Sequence, residues 1–266
     1  MNLIYSRIMN ELKSELASQK KLVPERILLD QLSGLPEPQD LKLLLSKKVK
    51  EKEVSMISVI KKAVPIKGLL RKQFDIKKIT KAYEQQGSLA ISVVTESKMH
   101  QGKREFLKEV RSISNLPLIR QDIIFDNYQV IESRILGADA IILQLDLLTI
   151  QEAINLEHKA TELGMGVILE ISGKQDLEKI AYLKSKLICV NNRDPRTLEV
   201  NLDTTKILSG RLGPQYMIIC KNGIQNIKNI KEVSNYNVYL FMIGEYILNQ
   251  PNIEVAIQML LGQPSQ

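Results

Sequence analysis

The chain has 266 residues, 44% of them hydrophobic and 25% charged, with a formal net charge of +7. That length holds one (β/α)8 barrel or two smaller domains, and apolar runs of about half a dozen residues are far too short to span a bilayer. The lysines are dispersed, Glu51 interrupts the densest run at Lys47–Lys52, and only 5% of residues are aromatic; this argues against a nucleic-acid surface built on stacking aromatics and for a small anionic ligand.

The amino-terminal stretch, Met1 to Lys13, lacks the continuous apolar core of a signal peptide. Residues 4–46 read as a helical preamble: Ile8, Leu12 and Leu16 recur every four positions on one face, Pro36 and Pro38 break the pattern, and a second short helix is predicted at about Asp40–Ser46. From position 54 a strand–helix alternation begins. The predicted strands are Val54–Ile60, Leu89–Val94, Leu116–Ile119, Ala140–Leu143, Val167–Ile171, Leu187–Val190, Met217–Cys220 and Val238–Ile243. Between them helical spacing appears at Ile76–Tyr83, Glu105–Ile113, Tyr128–Leu136, Ile150–Leu163, Leu177–Leu183, the short Leu202–Leu208, and Ile227–Val233. Apolar strands separated by amphipathic segments predict parallel strands with crossover helices, closed as a single (β/α)8 TIM barrel of the α/β class. Gly87, Gly137 and Gly164 each end a predicted helix where a left-handed residue is wanted. The expected organisation is a helical extension over 1–50 and one barrel over 51–266. Cys189 and Cys220 end apolar runs, the setting of buried thiols in a reduced cytoplasmic protein.

In a barrel the residues after each strand converge on one mouth. Here they are Lys61 and Lys62, Thr95 and Glu96, Gln121 and Asp122, Glu170, Asn191 and Arg193, Lys221 and Asn222, and Gly244 and Glu245. The run Ile188-Cys-Val-Asn-Asn-Arg-Asp194 is the sharpest case, an apolar strand turning abruptly polar. Asn222-Gly223-Ile224 and Ile243-Gly244-Glu245 each put a glycine between strand and helix, where backbone amides can meet a phosphate. Gly223, Gly244 and Glu245 are therefore the predicted phosphate contacts, although Glu245 would serve equally to cap the final helix.

The segments Lys61-Lys-Ala-Val-Pro-Ile-Lys-Gly68, Ile91-Ser-Val-Val-Thr-Glu96, Leu116-Pro-Leu-Ile-Arg-Gln-Asp122, Asp126-Asn-Tyr-Gln129, Gly137-Ala-Asp-Ala140 and Ile188–Asp194 occur in order, and together they resemble the indole-3-glycerol phosphate synthase family of tryptophan biosynthesis. The resemblance covers nearly the whole chain. It implies a barrel with a helical amino-terminal segment, and a reaction that closes an indole ring on a carboxyphenylamino-deoxyribulose phosphate with loss of carbon dioxide and water. It further implies that Lys61 contacts substrate, that Glu170 is the fifth-strand acid/base, and that Asn191 and Arg193 position the substrate. No cofactor or metal is implied.

The family pattern is broken at several positions. Val59 stands where the family has a glutamate, Gln121 where it has its general-acid lysine, and Lys221 and Asn222 where it has a glutamate and a serine. Val64-Pro-Ile66 replaces a Ser-Pro-Ser, and Met99-His100 an aromatic pair. An amide cannot act as a general acid, and Lys221 in place of a carboxylate makes the mouth more positive. The expected catalytic residues are Lys61, Glu170 and Lys221, with Gln121, Asn191, Arg193 and Asn222 binding substrate. Proximity of Lys221 to Lys61 is expected to lower the pKa of one of them; two roles stay open for Lys221, the favoured one a charge partner of Glu170 or of a ligand carboxylate, the other a nucleophile for carbonyls with Glu170 moving its protons. Three readings stay open: altered lyase or condensation chemistry on an anionic, phosphorylated ligand; the parent synthase activity carried by substitute residues; or a non-catalytic ligand-binding or partner subunit. No nucleic acid or membrane partner is expected, and the chain would act as a monomer or homodimer.

Overall fold

The computed structural model describes residues 3–65 and 67–262, with side chains described from Arg7 onward. Ile66 of the Val64-Pro-Ile66 segment and the last four positions of the predicted barrel lie outside the described residues. The barrel strands are β1 (Ser55–Ile60), β2 (Ala90–Val94), β3 (Leu118–Gln121), β4 (Ala140–Gln144), β5 (Gly166–Ile171), β6 (Leu187–Asn191), β7 (Met217–Lys221) and β8 (Leu240–Ile243). All neighbouring pairs are parallel, and β1 pairs with both β2 and β8, which closes the sheet. Helices between the strands cover the outside: α4 (Ile76–Gln85), α5 (Glu105–Arg111), α6 (Asn127–Ile135), α7 (Ile150–Glu162), α8 (Leu177–Ile180), α9 (Asp203–Ser209) and α10 (Ile227–Ser234), followed by α11 (Glu245–Asn249) and α12 (Ile253–Leu261). This is the expected (β/α)8 barrel. Gly87, Gly137 and Gly164 have φ of 76°, 91° and 72°, the left-handed geometry anticipated for them.

Alternation along each strand sorts the apolar residues into two cores. Met56, Ile60, Ile91, Val93, Leu118 and Ile141 face outward under the helices. Ile57, Val59, Ala90, Ile119, Ala140, Ile142, Ile168, Leu187, Cys189, Ile219, Leu240 and Met242 fill the barrel interior. Three strands end later than expected in a way that matters. β3 begins at Leu118 and runs to Gln121, because Pro117 has no amide proton for the ladder and contributes its carbonyl, which accepts from Ile91 N. β6 and β7 likewise reach Asn191 and Lys221, so these polar residues are fixed by ladder hydrogen bonds instead of riding on loops.

The preamble does specific work. It contains α1 (Leu3–Leu22), α2 (Glu25–Asp30), which the sequence pattern did not resolve, and α3 (Leu41–Lys50). Asp40 caps α3 by accepting from Leu43 N. Leu41 and Leu45 are 1% and 0% exposed and join the interior core, so α3 plugs the amino-terminal end of the barrel. Burial of a leucine is worth about 1.5–3 kcal/mol, which makes α3 an integral part of the fold. On α1, Leu16 packs with Leu28, Tyr128 and Ile131, and Gln19 Nε2 donates to Glu132 Oε1 at 2.6 Å. That glutamate also receives Arg120 of β3, 2.8 Å away. Arg120 is 2% exposed and reaches Asp122 at 2.9 Å as well. Arg120, Asp122 and Thr95, which donates to Asp122, thus tie β2, β3, α6 and α1 together on the outer side. Among the described residues no helix is long and apolar enough to cross a membrane.

Candidate active site

Strand parity decides which polar residues enter the mouth. Two positions beyond an interior-facing apolar residue lies another interior-facing residue. Val59 leads to Lys61, Ile119 to Gln121, Ile142 to Gln144, Ile168 to Glu170, Cys189 to Asn191 and Ile219 to Lys221. These polar side chains, together with Arg193, Asn222, His100 and Asp146, line one pocket at the carboxyl ends of the strands. Asn192, of opposite parity, faces the helix layer: its side chain donates to the carbonyls of Lys221 and Asn222 and accepts from Thr205 N. Its role is to hold β6, β7 and α9 in place.

The centre of the pocket is a chain of contacts across β5, β6 and β7. Lys221 Nζ lies 2.6 Å from Glu170 Oε2, and both side chains are buried, at 7% and 6% exposure. The other carboxylate oxygen, Oε1, accepts from Asn191 Nδ2 at 2.9 Å. Asn191 Oδ1 in turn accepts from Asn222 Nδ2 at 2.7 Å and from Arg193 N at 3.0 Å. Strand register explains the reach: Asn191 is level with Lys221, while Glu170 is level with Cys189, two positions lower. The lysine stem spans that offset and the asparagine bridges it. Both oxygens of the expected acid/base carboxylate are therefore occupied within the protein.

Lys61 is in a different situation. It is 6% exposed, and among the described residues its ammonium has no hydrogen-bond or ion-pair partner. Burial is the main influence on it and Lys221 the second; together they pull its pKa down to about 8. Lys61 thus carries a lowered pKa, and Lys221 is held in an ion pair by Glu170. Of the two roles expected for Lys221, the structure shows the pairing with Glu170, and a nucleophilic role would require that contact to break.

Gln121 is buried, and its Oε1 accepts a long 3.3 Å bond from Ser92 Oγ. Beside it the loop after β2 contributes a carboxylate–imidazole pair. Glu96 accepts the amides of Lys98, Met99 and His100 and lies 3.0 Å from His100 Nδ1. Burial pushes the Glu96 carboxyl up, but the His100 bond and the amides outweigh it and hold the pKa below the usual value. An ionised carboxylate only accepts, so His100 donates from Nδ1 and keeps the lone pair on Nε2. Burial lowers the His100 pKa, the Glu96 bond opposes this, and Lys61 and Lys221 reinforce the lowering.

The predicted phosphate residues come together in an adjoining cavity lined by Gly223, Gly244, Asn222, Lys67, Arg193 and Glu245. Asn222 and Gly223 have φ of 64° and 90°, so the backbone turns sharply there. A Cβ on Gly244 would stand 2.7 Å from Val59 Cβ, which is why α11 can start so close to β1. Glu245 already bridges Lys67 at 2.6 Å and Arg193 at 2.8 Å, and a phosphate would compete with it for these cations. Lys67 and Asp146 were missed by the sequence reading. Lys67 sits in a two-stranded hairpin loop (Ala63–Val64 with Gly68–Leu69) that no periodicity announces. Asp146 lies in a single 3-10 turn (Leu145–Leu147) just beyond β4, whose end the sequence pattern places one residue short. Burial, then Glu170 and Asp176, push its pKa up to about 6.

Fold and mouth define a parallel (β/α)8 barrel with a charged, amide-lined pocket where barrel enzymes carry their sites. Residues 5–260 match the family model described as indole-3-glycerol phosphate synthase, and the chain belongs to that family. It is 35% identical to the indole-3-glycerol phosphate synthase of Geobacillus thermodenitrificans over 230 residues, covering 86% of this chain and 89% of the relative. Identity to the indole-3-glycerol phosphate synthase 2 of Ralstonia nicotianae is 36% over 232 residues, or 85% and 87% of the two chains. With the Alkaliphilus metalliredigens synthase it is 32% over 258 residues, covering 97% and 98%.

Proposed function

We propose that this barrel is a lyase of the indole-3-glycerol phosphate synthase type with altered proton chemistry. Its ligand is a small, anionic, phosphorylated molecule, derived from anthranilate as in the family reaction. The observation that carries the reading is the Lys221–Glu170 ion pair at 2.6 Å, with Asn191 on the second oxygen. Before Glu170 can move a proton, one of these contacts must break. Gln121 also cannot donate the proton that the ring-closing ketone requires. Arg193, Asn191 and Asn222 present donors and acceptors for the ligand, and the amides around Gly223 and Gly244 are the proposed phosphate contacts.

Steady-state formation of indole-3-glycerol phosphate from the carboxyphenylamino-deoxyribulose phosphate, run beside the Geobacillus relative, tests the reading. Loss of a positioned acid costs about 10²–10⁴-fold, so turnover lower by that order is expected. Equal turnover by the two proteins would overturn it. A second reading, full synthase activity through a substitute acid, is favoured by Lys61: an ammonium with a pKa of about 8 is a stronger acid than an ordinary lysine and stays protonated at neutral pH. In that case kcat is high and falls as pH rises through about 8.

A further inference from the structure

We propose that Lys61 is an imine-forming amine, and that the mouth captures small aldehydes and ketones covalently at its Nζ. The carboxylates near enough to neutralise Lys61 are Glu170 and Glu245. Glu170 is committed to Lys221 and Asn191, and Glu245 to Lys67 and Arg193. Lys221 on β7 and Arg193 beyond β6 disfavour a further positive charge, and His100 from the β2 loop joins them in the pocket. Lys61 is therefore buried and left without an anion of its own, the condition under which a lysine gives up its proton and exposes a lone pair. Its pKa of about 8 agrees with this geometry.

The step balances without a redox partner. The Lys61 nitrogen pair forms a bond to the carbonyl carbon, and the carbonyl π pair moves to oxygen. Nitrogen loses a proton and oxygen gains one, giving the carbinolamine. A second proton, drawn from solvent, protonates that hydroxyl and expels water, and the nitrogen pair closes the C=N bond as the protonated imine. His100, with Nδ1 tied to Glu96 and Nε2 carrying the lone pair, lies in the same pocket to pass the first proton from nitrogen to the carbonyl oxygen and then to relay the second from solvent to the leaving hydroxyl. The inference is independent of whether the ring closure of the family is turned over, since trapping needs only the amine and a carbonyl.

The test uses the intact protein with glycolaldehyde or glycolaldehyde phosphate and cyanoborohydride at pH 7.5, read by peptide mass mapping. Lys61 should be alkylated about tenfold or more faster than the exposed lysines, because its free-amine fraction is far larger than that of a lysine near 10.4. Its labelling should level off above about pH 8 while surface labelling keeps climbing. Lys221→Met, which removes a neighbouring cation, should shift the Lys61 midpoint upward, and Lys61→Met should remove the fast adduct and leave the slow surface ones. A preference for the phosphorylated aldehyde would add the phosphate to the ligand class; equal rates would leave a plain carbonyl site, which equally supports the proposal. Labelling spread over surface lysines with Lys61 unmodified, or modified no faster than they are, would overturn it.

Discussion

Replacing Lys221 by methionine removes one member of the buried pair and keeps the stem that fills the space. Glu170, 5% exposed, is then left with only the Asn191 bond. Breaking a buried ion pair typically costs about 3–5 kcal/mol because the remaining charge has no compensation. Here the Asn191 donor remains, and the nearby Lys61 ammonium can strengthen its interaction with the orphaned carboxylate, so about 2–4 kcal/mol is expected. For a protein of this size that is a fall in Tm of roughly 5–15 °C. Urea denaturation followed by far-ultraviolet circular dichroism measures it, with an unchanged m value marking a native-state effect. The double variant Glu170→Leu/Lys221→Met should recover to within about 1 kcal/mol of the parent, since replacing both partners by apolar groups is close to neutral. A coupling energy of about 2 kcal/mol or more should result. If Lys221→Met costs under about 0.5 kcal/mol and the two changes simply add, the pair is not holding the mouth together and the reasoning fails.

Arg120→Met strands Asp122 and Glu132 under the helix layer and should cost about 3–5 kcal/mol, whereas Arg104→Ala, on the same Glu132 but 42% exposed, should cost under about 1 kcal/mol; chemical denaturation of both separates the two. Asp146 has a folded pKa raised to about 6 from 3.8, so its charged form is penalised above pH 6 and the penalty vanishes below 3.8. Asp146→Asn should accordingly stabilise the protein by about 1–2 kcal/mol at pH 8 and leave it nearly unchanged at pH 3.5; equal effects at both pH values would refute the assignment. Gly244→Ala places a Cβ 2.7 Å from Val59 Cβ and 3.1 Å from Val59 O, and should cost about 1–3 kcal/mol by overpacking, visible as a lowered Tm. Inorganic phosphate should raise Tm if the amides around Gly223 and Gly244 bind it, and a Gly223→Ala variant should lose that response.

Much of the barrel was legible because its strands obey a period of two and its helices a period near 3.6, and both patterns are set by local backbone geometry. Once Ile57 and Val59 face inward, Lys61 must follow them, and the same holds for Glu170 after Ile168 and Lys221 after Ile219. The glycines at 87, 137 and 164 announced helix ends because only a residue free of a Cβ turns left-handed there at no cost. The family resemblance rested on ordered motifs and could likewise be read from the chain. Less was legible where a residue's role depends on a partner far along the sequence. The α3 helix could be drawn from its Asp40 cap, but not its position as the plug of the barrel floor. Arg120 finds its partner only because α6, further along the chain, brings Glu132 to it. Lys61 and Lys221 were indistinguishable as sequence, two lysines at strand ends. Which of them gains an ion-pair partner was decided by the stagger of β5, β6 and β7, which brings the Glu170 oxygen within 2.6 Å of Lys221 and leaves Lys61 without one. Local patterns determine where a side chain faces; its charge state depends on distances and burial, which only the closed barrel establishes.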